Sequence, residues 1–129
     1  MSDFGKLLTA VITPFDNNGV LNTDTLWRLC KKLVHEKSDG LVLSGTTGES
    51  PNLTKEDRKI IYSTAKDSVG DKAKIIAGTG TYSTKESIEY TKMANDIGVD
   101  GIMIVTPYYS KPSQFGILKH FEEISKNTD

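Results

Sequence analysis

Four short aliphatic runs recur along this chain at intervals of about thirty residues: Leu8–Thr13, Gly40–Ser44, Lys74–Ala77 and Gly101–Val105. Each is mostly continuous rather than alternating in hydrophobicity, the composition of a parallel strand covered on both faces. Segments of helical period separate them. The first follows Asn22-Thr23 and carries Leu26, Leu29, Cys30, Leu33 and Val34 on one face; the second opens at Thr54-Lys-Glu-Asp57 and runs through Ile61, Ala65 and Val69. The third opens at the capping box Ser83-Thr-Lys-Glu86, carries Tyr90, Ala94 and Ile97, and stops at Gly98; the fourth starts near Ser113 and uses Ile117, Leu118, Phe121 and Ile124. A strand–helix unit repeated four times forces parallel strands joined by right-handed crossovers. The fold class is therefore α/β, with no linker or low-complexity tract dividing residues 1–129. Two architectures satisfy the repeat: a small doubly wound sheet, or half of an eight-fold barrel, whose usual length is about 250 residues. Periodicity does not choose between them.

Charge and composition exclude other classes. A net charge of −1 gives no reason to expect nucleic acid or an anionic membrane as partner. No apolar run approaches the roughly 20 residues that span a bilayer, and the N-terminal Met-Ser-Asp-Phe-Gly-Lys lacks the regions of a signal peptide. The single cysteine, Cys30, cannot form an internal disulfide, so a reduced, cytoplasmic protein is expected.

In either architecture the loops that leave the carboxyl ends of the strands form the site. Here they read Thr13-Pro-Phe15, Ser44-Gly-Thr-Thr-Gly-Glu-Ser50, Gly78-Thr-Gly-Thr-Tyr82 and Thr106-Pro-Tyr-Tyr109. Glycine and hydroxyl residues dominate. Backbone N–H and short O–H donors suit a small carboxylate or carbonyl compound, and no His or Cys cluster is present to hold a metal. No cofactor is expected. Gly45-Thr-Thr-Gly48 lacks the Gly-Lys-Ser/Thr ending of a phosphate loop, and Gly78-Thr-Gly80 lacks the third glycine of a dinucleotide fingerprint. Each feature also has a plainer reading. The Gly45–Gly48 stretch could be only a turn, Glu49 could cap a helix, and His35 and His120 fall inside helices as surface or packing residues. Cys30 reads as a small core residue. Lys111, beside Pro112 in a loop, reads as solvated, since an imine-forming lysine usually needs desolvation. Tyr108 and Tyr109 are adjacent and cannot point the same way, so one of them serves a different surface.

Taken together, Ala10-Val-Ile-Thr-Pro-Phe15, Gly45-Thr-Thr-Gly-Glu-Ser50, Ile76-Ala-Gly-Thr-Gly80 and Val105-Thr-Pro-Tyr-Tyr-Ser-Lys-Pro-Ser113 resemble the dihydrodipicolinate synthase family of pyruvate-dependent class I aldolases. The resemblance covers essentially the whole chain in order. It implies a (β/α)8 TIM barrel of which residues 1–129 are the N-terminal half, the first four βα units of a single domain. It implies condensation of pyruvate with aspartate 4-semialdehyde through a lysine Schiff base in diaminopimelate and lysine biosynthesis. Thr47 and neighbouring backbone N–H groups would hold the pyruvate carboxylate, with Gly45, Gly48 and Glu49 as support. Thr46 would relay protons with Tyr109, a tyrosine that reaches across a dimer interface, leaving Tyr108 near that interface. The intact enzyme would be a dimer-based tetramer.

The same resemblance places the Schiff-base lysine on the sixth strand and a second relay tyrosine after the fifth. With the chain ending at Asp129 after four units, the nucleophile is not in it, and the half alone is expected to be catalytically inactive and to self-associate through two open sheet edges. In lysine-inhibited members of the family the allosteric surface carries histidines and an asparagine where this chain has Lys55, Arg58 and Tyr82, so repulsion of the lysine ammonium groups by these cations is expected. Two other functions remain beside this one. A sister aldolase, a neuraminate lyase or a 2-keto-3-deoxy sugar-acid aldolase, shares the barrel, although Thr46 and the Pro107–Ser113 run favour the synthase. A complete flavodoxin-like binding domain would fit the length but predicts an acidic or phosphate-binding pocket that the strand ends lack.

Overall fold

Each helix begins where a short polar side chain can satisfy free N–H groups. In the computed structural model, which describes residues 3–128, Asn22 caps α1 (Thr23–His35), Thr54 caps α2 (Lys55–Val69), Ser83 caps α3 (Thr84–Ile97) and Ser113 caps α4 (Gln114–Ser125). At α2 the box is reciprocal: the Asp57 N–H donates to Thr54 Oγ1 and the Thr54 N–H donates to Asp57 Oδ2. Gly98, with φ +79°, closes α3 in the left-handed region. Residues 1, 2 and 129, the ends of the predicted domain span, lie outside the described residues.

The strands are β1 (Leu8–Ala10), β2 (Gly40–Leu43), β3 (Lys74–Gly78) and β4 (Gly101–Met103), all parallel in the order β1-β2-β3-β4. Thr9 pairs with Leu41, Leu41 with Ile75, and Ala77 with Ile102. This order resolves the choice that periodicity left open. A doubly wound sheet reverses its strand order at a switch point and carries helices on both faces. A strictly sequential order with crossovers of one hand places every helix on the same side, as in a barrel.

The core lies on that side. Leu41, Leu43, Ile75 and Ala77 point from the sheet into Leu26 and Cys30 of α1, Ile61, Tyr62 and Ala65 of α2, and Ala94 of α3. Cys30 is fully buried, and burial pushes its thiol up to about 11, so it behaves as the small core residue expected. The other face is different. Leu8, Ile12, Met103 and Val105 are exposed there, so strands with the composition of two covered faces have only one covered.

Candidate active site at the carboxyl ends of the strands

The chain that leaves β2 turns back on itself at once. Ser44 and Glu49 both adopt left-handed φ, +54° and +57°, and between them Gly48, Glu49 and Ser50 donate their N–H groups to Gly45 O, Thr46 O and Gly45 O. Thr13, at the end of the first strand run, donates its hydroxyl to Gly48 O at 2.7 Å and ties the turn to β1. Those bonds consume the donors on the far side of the turn. The N–H groups of Gly45, Thr46 and Thr47 donate to nothing among the described residues. Successive free N–H groups in a turn of this kind form a concavity suited to an anion.

A cavity of about 310 Å³ opens beside this turn. Ser44, Gly45, Thr46 and Ser50 line it from the β2 loop, Gly78 and Gly80 from the β3 loop, and Met103, Val105 and Tyr108 from the β4 side. The structure therefore brings Gly45, Thr46 and Tyr108 to one site. Thr47 is exposed and is not among the lining residues; Gly48 is buried as the acceptor for Thr13. Glu49 precedes the short 3₁₀ turn Ser50–Asn52, but its side chain makes no capping bond to a backbone N–H there and its carboxylate accepts from Asn52 Nδ2 at 3.1 Å.

The paired phenols diverge as expected of neighbours that cannot share a direction. Tyr108 meets Tyr82 edge to face, ring centroids 5.4 Å apart. Tyr109, with φ +68°, is 95% exposed and projects into solvent. Lys111 is exposed with φ +44°, with none of the desolvation an imine-forming lysine needs. His35 is exposed; His120 is buried with Nδ1 2.9 Å from Thr84 Oγ1, and burial holds its imidazole below the ordinary histidine value. Among the described residues no group of three or more His, Cys, Asp or Glu side chains comes together in a way that could hold a metal, and no helix is long and apolar enough to cross a membrane.

Two residues lie under the site that the sequence did not place there. Arg58, expected as a surface cation, is buried: its guanidinium turns inward and donates to Gly78 O at 2.7 Å, Ser50 O at 2.8 Å and Ser50 Oγ at 2.7 Å. Only Lys55 of the expected cationic pair faces solvent, 3.5 Å from Glu89. Tyr62, fully buried, donates to the same Gly78 O at 2.9 Å, and burial raises its phenol above the ordinary tyrosine value, which keeps it a donor. A helical period that puts Tyr62 beside Ile61 on the apolar face was the available signal for Tyr62. Nothing in the pattern marked Arg58.

The description of the dihydrodipicolinate synthetase family matches residues 3–129. The chain belongs to that family. It is 50% identical over 127 residues to a 4-hydroxy-tetrahydrodipicolinate synthase from Desulforudis audaxviator, covering 98% of this chain and 43% of the relative. A crystal structure of dihydrodipicolinate synthase from Bacillus anthracis superimposes with a TM-score of 0.95 at 43% identity, over 99% of this chain and 44% of that one. The dihydrodipicolinate synthase from Acinetobacter baumannii, determined in complex with pyruvate, gives 0.94 at 33% identity over 98% of this chain and 43% of that one. The chain thus spans less than half the length of the relatives it matches, and its four-stranded sheet is half of their barrel.

Proposed function

We propose that this chain supplies the first half of a 4-hydroxy-tetrahydrodipicolinate synthase site and uses the Gly45–Thr47 turn to hold the carboxylate of pyruvate. The observation that carries the reading is the row of free N–H groups on Gly45, Thr46 and Thr47, of which Gly45 and Thr46 line a cavity of about 310 Å³. A carboxylate is the small planar anion that such a row fits, and on this reading the Thr47 hydroxyl is a further donor to it. The 50% identity to a named synthase and the pyruvate complex of the Acinetobacter relative support the same choice.

Pyruvate condenses with a lysine amine by losing its keto oxygen as water, and that step needs protons carried over short distances. Thr46 lines the cavity, and on this reading its hydroxyl passes the proton on. Tyr109 points away from its own chain's cavity, which suits a phenol that completes the relay in a second subunit's site, within a dimer-based tetramer. The imine loses a proton from its methyl group to give an enamine, whose carbon attacks the aldehyde of aspartate 4-semialdehyde, and the product cyclises. On this reading the lysine lies beyond these four units, the chain alone forms no imine, and the working enzyme is cytoplasmic.

Intact-mass measurement after pyruvate and borohydride, paired with amide chemical shifts during a pyruvate titration, tests the proposal. The expected result is no reduced adduct on the 129-residue chain together with saturable shifts at Gly45, Thr46 and Thr47. An adduct on Lys111 would overturn the placement of the nucleophile; silent turn amides would overturn the carboxylate cradle.

A further inference from the structure

We propose that Arg58 is a positioning residue whose guanidinium clamps the β2 and β3 loops into one anion cradle and charges that cradle from behind. The inference rests on the reading of Gly45–Thr47 as a carboxylate site. Arg58 lies on the buried face of α2, 2% exposed, and no carboxylate among the described residues forms an ion pair with it. Its charge is balanced instead by two backbone carbonyls, one hydroxyl and the face of Tyr90, whose ring centroid lies 4.6 Å from the guanidinium carbon. Nε finds no acceptor among the described residues. Burying a cation in this way is costly, and an aliphatic side chain would fill the same space more cheaply.

What the guanidinium adds is a planar fork with fixed spacing between donors. One arm holds Ser50, the residue whose N–H closes the turn onto Gly45 O; the other holds Gly78, the last residue of β3. Gly78 in turn runs so close beneath Ser44 that a Cβ there would lie 2.4 Å from Ser44 O. Both ends of the turn and the strand below it are thus fixed to one rigid group. Gly45, Thr46 and Thr47 are held between these anchors with their N–H groups free. The guanidinium is itself buried, so solvent screens its charge less than that of a surface cation, and it raises the potential at the loops it holds.

Three variants of the 129-residue chain separate this role from simple packing. In Arg58→Met, which keeps the stem and removes fork and charge, the amides of Gly48, Glu49, Ser50, Thr79 and Thr81 are expected to exchange faster together, by about tenfold or more, while α1 and α4 keep their protection. Pyruvate affinity read at Gly45–Thr47 is expected to fall by about tenfold with them. Arg58→Lys retains charge without the fork, so it should preserve more of the pyruvate response than of the loop protection. In Arg58→Ala, guanidinium ion well below denaturing concentration should restore protection to both loops. Unchanged loop exchange would overturn the proposal, as would faster exchange throughout the chain that guanidinium does not reverse. If the unsubstituted chain shows no pyruvate response, the carboxylate reading falls and the charging role with it, and the exchange data alone then decide the clamp.

Discussion

At Gly78 the backbone of β3 passes directly beneath the loop leaving β2, and the next glycine, Gly80, passes as closely to the chain after β4. A Cβ on Gly78 would meet Ser44 O at 2.4 Å and Ser44 C at 2.8 Å; on Gly80 it would meet Val105 N at 2.4 Å. These neighbours are backbone, so neither can swing aside as a side-chain end would. Gly78→Ala is therefore expected to destabilise the chain by about 1–3 kcal/mol, because it must push Ser44 upward and displace the carbonyl shared by Arg58 and Tyr62. The urea midpoint at constant m-value measures this, and an unchanged midpoint would show that the strands yield. At this scale the sequence displayed the chemistry but not the partners. That Gly45, Thr46 and Tyr108 line one cavity was legible in that all three lie in loops leaving the carboxyl ends of strands. Arg58 was not, since a single basic residue in an amphipathic helix looks the same whether its head faces water or two carbonyls 20 and 8 residues away.

The elements are pinned at their opposite ends by two carboxylates. Asp39, just before β2, accepts the N–H groups of Lys6 and Leu7 at 2.7 and 2.8 Å, and Asp100, just before β4, accepts Ile75 N–H at 2.9 Å and Lys74 Nζ at 2.8 Å. The Leu7 N–H, then that of Lys6, holds Asp39 below the ordinary value of 3.8. Burial works against the charged form of Asp100, but the Ile75 N–H and the Lys74 ammonium outweigh it, so it too sits lower. Both carboxylates thus bind protons more weakly folded than unfolded. Their stabilisation is present above about pH 4 and is lost as pH falls through their depressed values. Asp39→Asn with Asp100→Asn should lower stability at neutral pH and flatten the acid limb of a denaturation series; an acid limb as steep as that of the unsubstituted chain would contradict this. Element boundaries were legible where capping chemistry set them, at Asn22, Thr54, Ser83 and Ser113. The outer strands were overcounted: the runs to Thr13 and Val105 end, as ladders, at Ala10 and Met103. Hydrophobicity continues there, but each outer strand has a pairing neighbour on one side only, and apolar residues alone do not make a ladder.

For the whole molecule, the four-unit repeat fixed an α/β fold, while the choice of half barrel over doubly wound sheet came from the resemblance and was settled by strand order. The consequence is physical. β1 and β4 each leave one row of N–H and C=O groups unpaired, and the sheet face turned from the helices exposes Leu8, Ile12 at 56%, Met103 and Val105 at 46%. Such edges pair with other strands, and such faces seek cover. The chain spans 43% of the length of its Desulforudis relative, and it leaves these apolar residues uncovered. The 129-residue chain by itself is expected to associate in a concentration-dependent way. Ile12→Lys with Met103→Lys places one charge just past β1 and one on β4, both at exposed apolar positions, while leaving the helix-side core untouched. Burying those ammonium groups against another apolar surface would be costly, so association should weaken and the monomer fraction rise without loss of helical signal. Sedimentation velocity across a dilution series reads the result. A sharp monomer for the unsubstituted chain at micromolar concentration would mean that the open face and edges tolerate water, and that the strands' apolar composition does not require a second half.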